Sequence, residues 1–427
     1  MTRTAHHPHP TPAFPVYCLD WADDDTLIMG GGGGASRSGI INKLKLCKVS
    51  KDGKKIDYAN ELHLSMDEDA PMTMDVDRSV GACPEHAKIA NVNLKTKQLI
   101  TGINASSSSI KEGSNQHCRV FSYADEKLAL VRGQNTIHAS WSDDYPWQKF
   151  TTLSPSGSLL AVGSTDNRIA ILRFPSLEPV WPSFQSGDGE LVDLDWGGEG
   201  GEWLAVTTTS AILLYHATDG DIVRLHLRQT IFPPTLDISP VVFRAARFSP
   251  THTSPPAIHA ALNATKKPSK RGAPVKAFIC TFGVVAAASK APITPGEKDA
   301  IGEKTGGKEP EEVGKWDVIV RREVAGKPIT VLDVSENGKL LSYGCSDLSI
   351  GILDSKTLTP LLKILHSHSF PPTALKFNPS ASLLVSASAD NTIRVVMVPA
   401  RFGGVSLPLV AFLLAILAII AAMVMRG

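Results

Sequence analysis

Two short runs near the N-terminus carry the residue types best suited to chemistry or recognition: Gly30-Gly31-Gly32-Gly33-Gly34, then Ser38-Gly39-Ile40-Ile41-Asn42. An apolar stretch, Thr26 to Met29, precedes them and an alternating one, Leu44 to Val49, follows. The runs therefore sit where a hairpin turns. Consecutive glycines weaken a strand and forfeit packing, so they belong where backbone takes φ > 0 or lies close to another group. A phosphate cradle is one candidate chemistry, but it needs Gly-x-x-x-x-Gly-Lys-Ser/Thr so that lysine meets phosphate and the hydroxyl meets magnesium. Here the basic residue is Arg37, Gly39 follows it, and no Gly-Lys-Ser/Thr is present. The dinucleotide fingerprint fails as well, since its third glycine falls on Arg37 or a neighbour and no βαβ unit follows. Gly302 to Lys308 has the cradle spacing but runs into Glu309 within a Lys/Glu/Gly-rich stretch. Two readings stay open. One is a plain Gly-rich hairpin loop. The other is a protein-contacting loop whose carbonyls converge on a monovalent cation. Ile40 and Ile41 would then form an apolar wedge, and Asn42 would offer a donor and an acceptor. Two β-branched residues at a loop tip are costly unless they meet a partner, which favours the second.

The elements that must position this loop read as short strands. Ser154 to Leu172, Ser335 to Leu353 and Asn378 to Val396 share one pattern: a turn, an apolar strand, small residues, an aspartate and an alternating strand. The aspartates, Asp166, Asp347 and Asp390, fall at the same offset and are expected to fix the turns of their own units. The last two units repeat at the spacing of WD-repeat blades. Weaker units fill the gaps: Phe14 to Leu62, Pro71 to Tyr123, Leu191 to Val223, and one opened by Ala245 to Pro250. The expectation is an all-β, WD-repeat β-propeller of seven blades over residues 14–400. It would carry a Pro/Lys-rich insert at about 251–274 and an exposed loop at about 289–315. Residues 1–13 read as a disordered His/Pro-rich tail, with His6, His7 and His9 as weaker metal candidates.

The 43 basic and 42 acidic residues show no basic stripe, so nucleic acid is not an expected partner. Six scattered cysteines without a Cys-x-x-Cys pair argue against a zinc or redox motif and fit a reducing compartment. No Ser/His/Asp or metal-ligand set stands out, and His138, His216, His366 and His368 read as ordinary surface or core histidines. Residues 405–425 are almost wholly apolar and, as a helix, rise about 32 Å, enough to span a bilayer core. No apolar leader opens the chain, so the expectation is a tail anchor with the propeller in the cytosol and residues 426–427 on the far side.

Glycine loop, degenerate propeller and single C-terminal anchor together resemble one family, the endoplasmic-reticulum guanine-nucleotide exchange factors that activate the Sar-type small GTPase and start COPII coat assembly. The family pattern is four glycines, a few variable residues, then Gly-Ile-Pro-Asn-Lys-Leu. Gly31-Gly32-Gly33-Gly34 and Gly39-Ile40-Ile41-Asn42-Lys43-Leu44 match it, with Ile41 in place of the proline. The resemblance implies a potassium ion held by the backbone of Gly31 to Gly34 and Gly39, with Asn42, Ile40 and Ile41 facing the GTPase and carrying the exchange activity. It also implies that the acidic stretch Asp67 to Asp75 helps to position the loop, with Asp75 as the residue involved. An exchange factor of this kind does no covalent chemistry and works at the endoplasmic-reticulum membrane. A membrane-tethered WD-repeat scaffold without exchange activity is the alternative.

Overall fold

The computed structural model describes residues 4–35, 38–78, 97–124, 126–218, 224–236, 240–250, 255–265, 275–285 and 315–402. Among these, 28 strands form seven four-stranded antiparallel sheets. The first blade is β2 (Val16–Trp21), β3 (Thr26–Gly31), β4 (Lys43–Val49) and β5 (Ile56–His63). The second is β6 (Met74–Val76), β7 (Lys97–Gly102), β8 (Cys118–Ala124) and β9 (Lys127–Gln134). The third holds β10 (Gln148–Leu153) to β13 (Glu178–Gln185), the fourth β14 (Leu191–Gly197) to β17 (Arg224–Ile231). The fifth holds β18 (Val241–Phe248), β19 (Ile258–Ala264), β20 (Ala277–Val284) and β21 (Trp316–Ala325), and the sixth β22 (Ile329–Val334) to β25 (Pro360–Ile364). In each blade the inner and middle strands are the most deeply buried, and the outermost strand alternates or lies exposed. That gradient is what a radial stack of sheets requires.

The seventh blade corrects the reading of the N-terminus. β26 (Pro372–Phe377), β27 (Leu383–Ser388) and β28 (Thr392–Met397) are completed by β1 (His6–Pro10), which pairs antiparallel with β28 from His6↔Val396 to Pro10↔Thr392. The tail is thus the strand that closes the ring. Its prolines are tolerated because they sit on an outermost edge, where one side needs no N–H. Phe14, Val16 and Trp21 pack with Val385, Ile393 and Val395 to seal the joint between the last blade and the first. A second correction concerns the insert at 251–274: it contains β19, an apolar strand of the fifth blade. Most of the expected 289–315 loop and the apolar 405–425 segment lie outside the described residues, and no helix among the described residues is long and apolar enough to cross a membrane.

Aspartates on the innermost strands tie four of the blades to the next one. Asp20 Oδ2 accepts Val76 N–H (3.0 Å), Asp75 Oδ2 accepts Leu153 N–H (2.7 Å), and Asp193 Oδ2 accepts Ala246 N–H (2.9 Å). Asp195 Oδ2 takes Phe248 N–H (2.7 Å) and Asp333 Oδ2 takes Phe377 N–H (3.0 Å). Arg78, Arg247 and Lys376 pair with Asp20, Asp193 and Asp333 in turn. Among the described residues Asp75 and Asp195 make no such ion pair, and burial pushes each carboxyl up to about 7. Asp75, Asp193, Asp195, Arg78, Arg247 and Lys376 line a channel cavity of about 530 Å³. The repeat aspartates Asp166, Asp347 and Asp390 do fix their own turns, accepting the N–H of Arg168, Ser349 and Thr392.

A pH prediction follows for Asp195. Its folded pKa lies above the unfolded value of 3.8, so between pH 3.8 and 7 the native state binds the extra proton. Stability from this group is therefore present at low pH and is lost as pH rises toward 7. Asp195→Asn keeps an oxygen for Phe248 N–H but cannot ionise. Relative to wild type, the variant is expected to gain up to about 1.4 kcal/mol per pH unit between pH 4 and 7, with a plateau above, in urea unfolding. A difference that stays flat across that window would refute the assignment.

Candidate functional site

In every blade the second-to-third strand connection and the link to the next blade fall on one face of the ring, and the other two connections fall on the opposite face. The glycine loop joins the second and third strands of the first blade, so it shares its face with the 64–73 link to the second blade. Residues 398–402 leave from the opposite face, where Val398 N–H meets Ser382 O (2.9 Å) and Phe402 packs against the core shared by the sixth and seventh blades.

Gly30 and Gly31 belong to β3, opposite Leu44 and Lys43; the loop proper runs from Gly32 to Asn42. A Cβ on Gly31 would lie 1.9 Å from Pro15 O, so only glycine lets this strand end pass the 11–15 segment. Gly32 has φ +139°, and its N–H donates to Pro15 O (3.1 Å). The loop is thereby bolted to the joint that closes the ring.

Asn42 is fully buried, at 0 % exposure. Its Oδ1 accepts Gly34 N–H (2.8 Å), and its Nδ2 donates to Glu68 O (2.7 Å). Its own carbonyl accepts Leu64 N–H (2.8 Å). The expectation that Asn42 faces a partner is thus corrected: its donor and acceptor are both spent inside, clipping the glycine turn to the 64–73 link. The period-2 pattern Asn42, Leu44, Leu46 carries the signal, because it puts Asn42 on the same inward face as two buried leucines. Ile41 projects outward at 37 % exposure, whereas half-buried Ile40 folds back over Gly33.

The acidic stretch does position the loop, through residues other than the one expected. Asp75 lies on β6 inside the channel, where its carboxylate holds Val76 and Leu153 N–H, so it is not at the loop. Its place is dictated by β6, which carries it away from the link and into the ring. Glu68 and Asp69 act instead. Glu68 Oε1 accepts from Arg119 (2.6 Å), and Arg119 Nε donates to Gln116 O (2.9 Å). Asp69 N–H donates to Asn104 O (3.1 Å). The Asp69 carboxylate takes hydrogen bonds from the Asn104 side chain and from Ala35 N–H, and burial raises its pKa. Asn104 is itself buried and bonds Asn115 (3.1 Å). Among the described residues Asp69 has no ion-pair partner, and no group of three or more His, Cys, Asp or Glu side chains could hold a metal.

The WD domain, G-beta repeat family matches residues 359–396, the last strand of the sixth blade and three of the seventh. Over 397 residues the chain is 23 % identical to the guanine nucleotide-exchange factor SEC12 of Candida glabrata, covering 91 % of this chain and 72 % of that protein. The chain is a seven-bladed β-propeller with a WD-repeat match in its closing blade, and it is similar over most of its length to that exchange factor. In the propeller, His368, expected as an ordinary histidine, is a core one: it lies between Thr392 Oγ1 (2.9 Å) and Ser386 Oγ (2.8 Å), and burial drives its pKa down to about 4.

Proposed function

We propose that this protein is a guanine-nucleotide exchange factor for a Sar-type small GTPase at the endoplasmic-reticulum membrane, where it starts coat assembly. The carrying observation is the clipped glycine loop, which presents Ile41 from a rigid frame in a chain similar to an exchange factor. Such a protein breaks no bond. It binds the nucleotide-free GTPase more tightly than the loaded form and, by linkage, weakens nucleotide binding by the same factor. A thousandfold weakening needs about 4 kcal/mol of coupling. Burying Ile41 and the open side of Ile40 contributes about 1.5–3 kcal/mol for each fully buried side chain, and a few hydrogen bonds from loop N–H groups supply the rest. The wedge would displace the switch segment that holds magnesium and phosphate. A membrane anchor at 405–425 would confine activation to one surface and raise the local concentration of both partners.

We propose that the loop holds a potassium ion. Backbone carbonyls of Gly32, Gly33, Gly34 and Gly39, with the Asp69 carboxylate that already bonds the loop at Ala35 N–H, would give an oxygen-only donor set, the kind that hard cations take. Gly31 fits this role less well, because its backbone is within the β3 ladder. When bound, the ion would neutralise Asp69 and hold the glycine carbonyls inward. Asp69→Ala is expected to slow exchange about tenfold and to abolish any difference between potassium and lithium buffers. Equal potassium dependence in wild type and variant would show that the ion is not held there.

The central test is release of fluorescent GDP from a Sar-type GTPase in potassium buffer, with and without the full chain in detergent. Acceleration well above the spontaneous rate is expected. Release unchanged by the protein would leave a membrane-tethered WD-repeat scaffold.

A further inference from the structure

The loop face carries a second exposed apolar feature far from the glycine loop in sequence. Leu365 and Phe370 are 65 % and 57 % exposed, on the link between the sixth and seventh blades. By the strand order this link shares the face of the glycine loop, with only the seventh blade between them. Large apolar groups exposed in this way mark contact surfaces when something holds them in place.

Here the backbone between them is held on every side. Ser367 N–H donates to Leu348 O (2.7 Å), and Ser369 N–H donates to Asp390 Oδ2 (2.6 Å). Ser388 Oγ donates to Phe370 O (3.0 Å), and His368 is fixed inside by Thr392 and Ser386. His366 is kept at φ +48°, a conformation that non-glycine residues rarely adopt. A link pinned at Ser367, Ser369 and Phe370 that displays a leucine and a phenylalanine is a preorganised anchor, since less loop entropy is lost on binding.

Area decides which partner it fits. A stable complex buries about 800 Å² per partner. Two isoleucines at a loop tip supply only a few hundred Å² at most, so an exchange factor that captures a nucleotide-free GTPase needs further contact on this face. A GTPase domain of about 180 residues has a radius of gyration near 16 Å and is about 40 Å across, wide enough to reach past one blade. We infer that Leu365 and Phe370 form a second docking point for the same GTPase that meets the glycine loop. This rests on the exchange reading. The pair contributes binding common to all nucleotide states, whereas the glycine loop carries the discrimination.

The test uses the full chain in detergent, with exchange rates measured against GTPase concentration. The double variant Leu365→Ser/Phe370→Ser is compared with Leu227→Ser, another exposed leucine, on the outer strand β17. The expected result is KM raised about tenfold or more at unchanged kcat for the double variant, with Leu227→Ser like wild type. Wild-type kinetics in the double variant would overturn the inference and leave the exchange reading standing. A fall in kcat at constant KM would overturn it too, because the pair would then act in the exchange step. A wild-type protein that does not accelerate release would overturn both. Unchanged melting of the double variant, expected for two exposed residues, separates these outcomes from misfolding.

Discussion

Asn42→Ala is expected to lower exchange by two to three orders of magnitude while leaving the propeller folded. The reason is the position of the side chain. It is buried and contributes one acceptor to Gly34 N–H and one donor to Glu68 O. Alanine removes both and leaves an N–H and a C=O without their partners, at about 1–3 kcal/mol for each group that stays buried. The blade need not unfold to relieve this. The glycine turn can move away from the 64–73 link, because the link keeps its own tie through Glu68 and Arg119. A loop whose ordered form is disfavoured by about 3–4 kcal/mol is competent in only one molecule in a few hundred, and the apparent rate falls in proportion. The variant should therefore lose activity at every GTPase concentration and melt only a few degrees lower. Hydrogen exchange offers an independent readout, with Gly34 and Leu64 amides losing protection and the β3 and β4 amides keeping theirs. An Asn42→Ala protein with full activity would show that the clip does not matter. One that fails to fold would show that Asn42 holds the blade rather than the loop.

The repeats that made the propeller legible are those whose turns depend on local chemistry. Asp166, Asp347 and Asp390 satisfy groups within two residues of themselves, so their spacing survives as a sequence pattern. The inter-blade ties are different. Asp20, Asp75, Asp193 and Asp333 reach a strand about 50 or more residues away in most cases, and nothing local marks them. Sequence position alone therefore groups Asp75 with its neighbours in the acidic stretch, although β6 carries it into the channel. Glu68 and Asp69, a few residues earlier, are the ones that reach the loop. The His/Pro composition of the N-terminus reads as a tail because β1 has no hydrophobic alternation. Its order comes mainly from pairing with β28 at the far end of the chain. The strand β19 was hidden in a similar way, since prolines and lysines on both sides of it dominate the composition of the segment.

The loop itself divides along the same line. Its glycines, two isoleucines and asparagine could be read as a recognition device from residue type alone. Which side chain faces outward could not, because that depends on register. Asn42 continues the inward-facing series of Leu44 and Leu46, and Ile41 is the neighbour that the pleat turns out. The positioning network then extends from Asn42 through Glu68 and Arg119, and through Asp69 to Asn104 and Asn115, so the second blade braces a loop carried by the first. A rigid brace of this kind is what a wedge needs, since force exerted on a partner's switch would otherwise deform the wedge.

That division of labour makes the isoleucines the complementary case. Ile40→Ser/Ile41→Ser is expected to reduce kcat/KM at least a hundredfold with no measurable loss of stability. Ile41 is more than a third exposed and Ile40 sits at the loop surface, so neither contributes much to the core. Replacing them removes about 1.5–3 kcal/mol of apolar burial for each side chain that becomes enclosed in the complex. Because the clip by Asn42 is intact, the hydrogen-exchange pattern of Gly34 and Leu64 should match wild type, unlike that of Asn42→Ala. The two variants would thus share a loss of exchange and differ in loop order. Ile41 alone is expected to carry the larger part, since Ile40 already spends one side against Gly33. Single substitutions of equal effect would mean that the loop rearranges on binding and frees Ile40. An active Ile40→Ser/Ile41→Ser protein would remove the wedge from the mechanism and place the exchange surface elsewhere on this face.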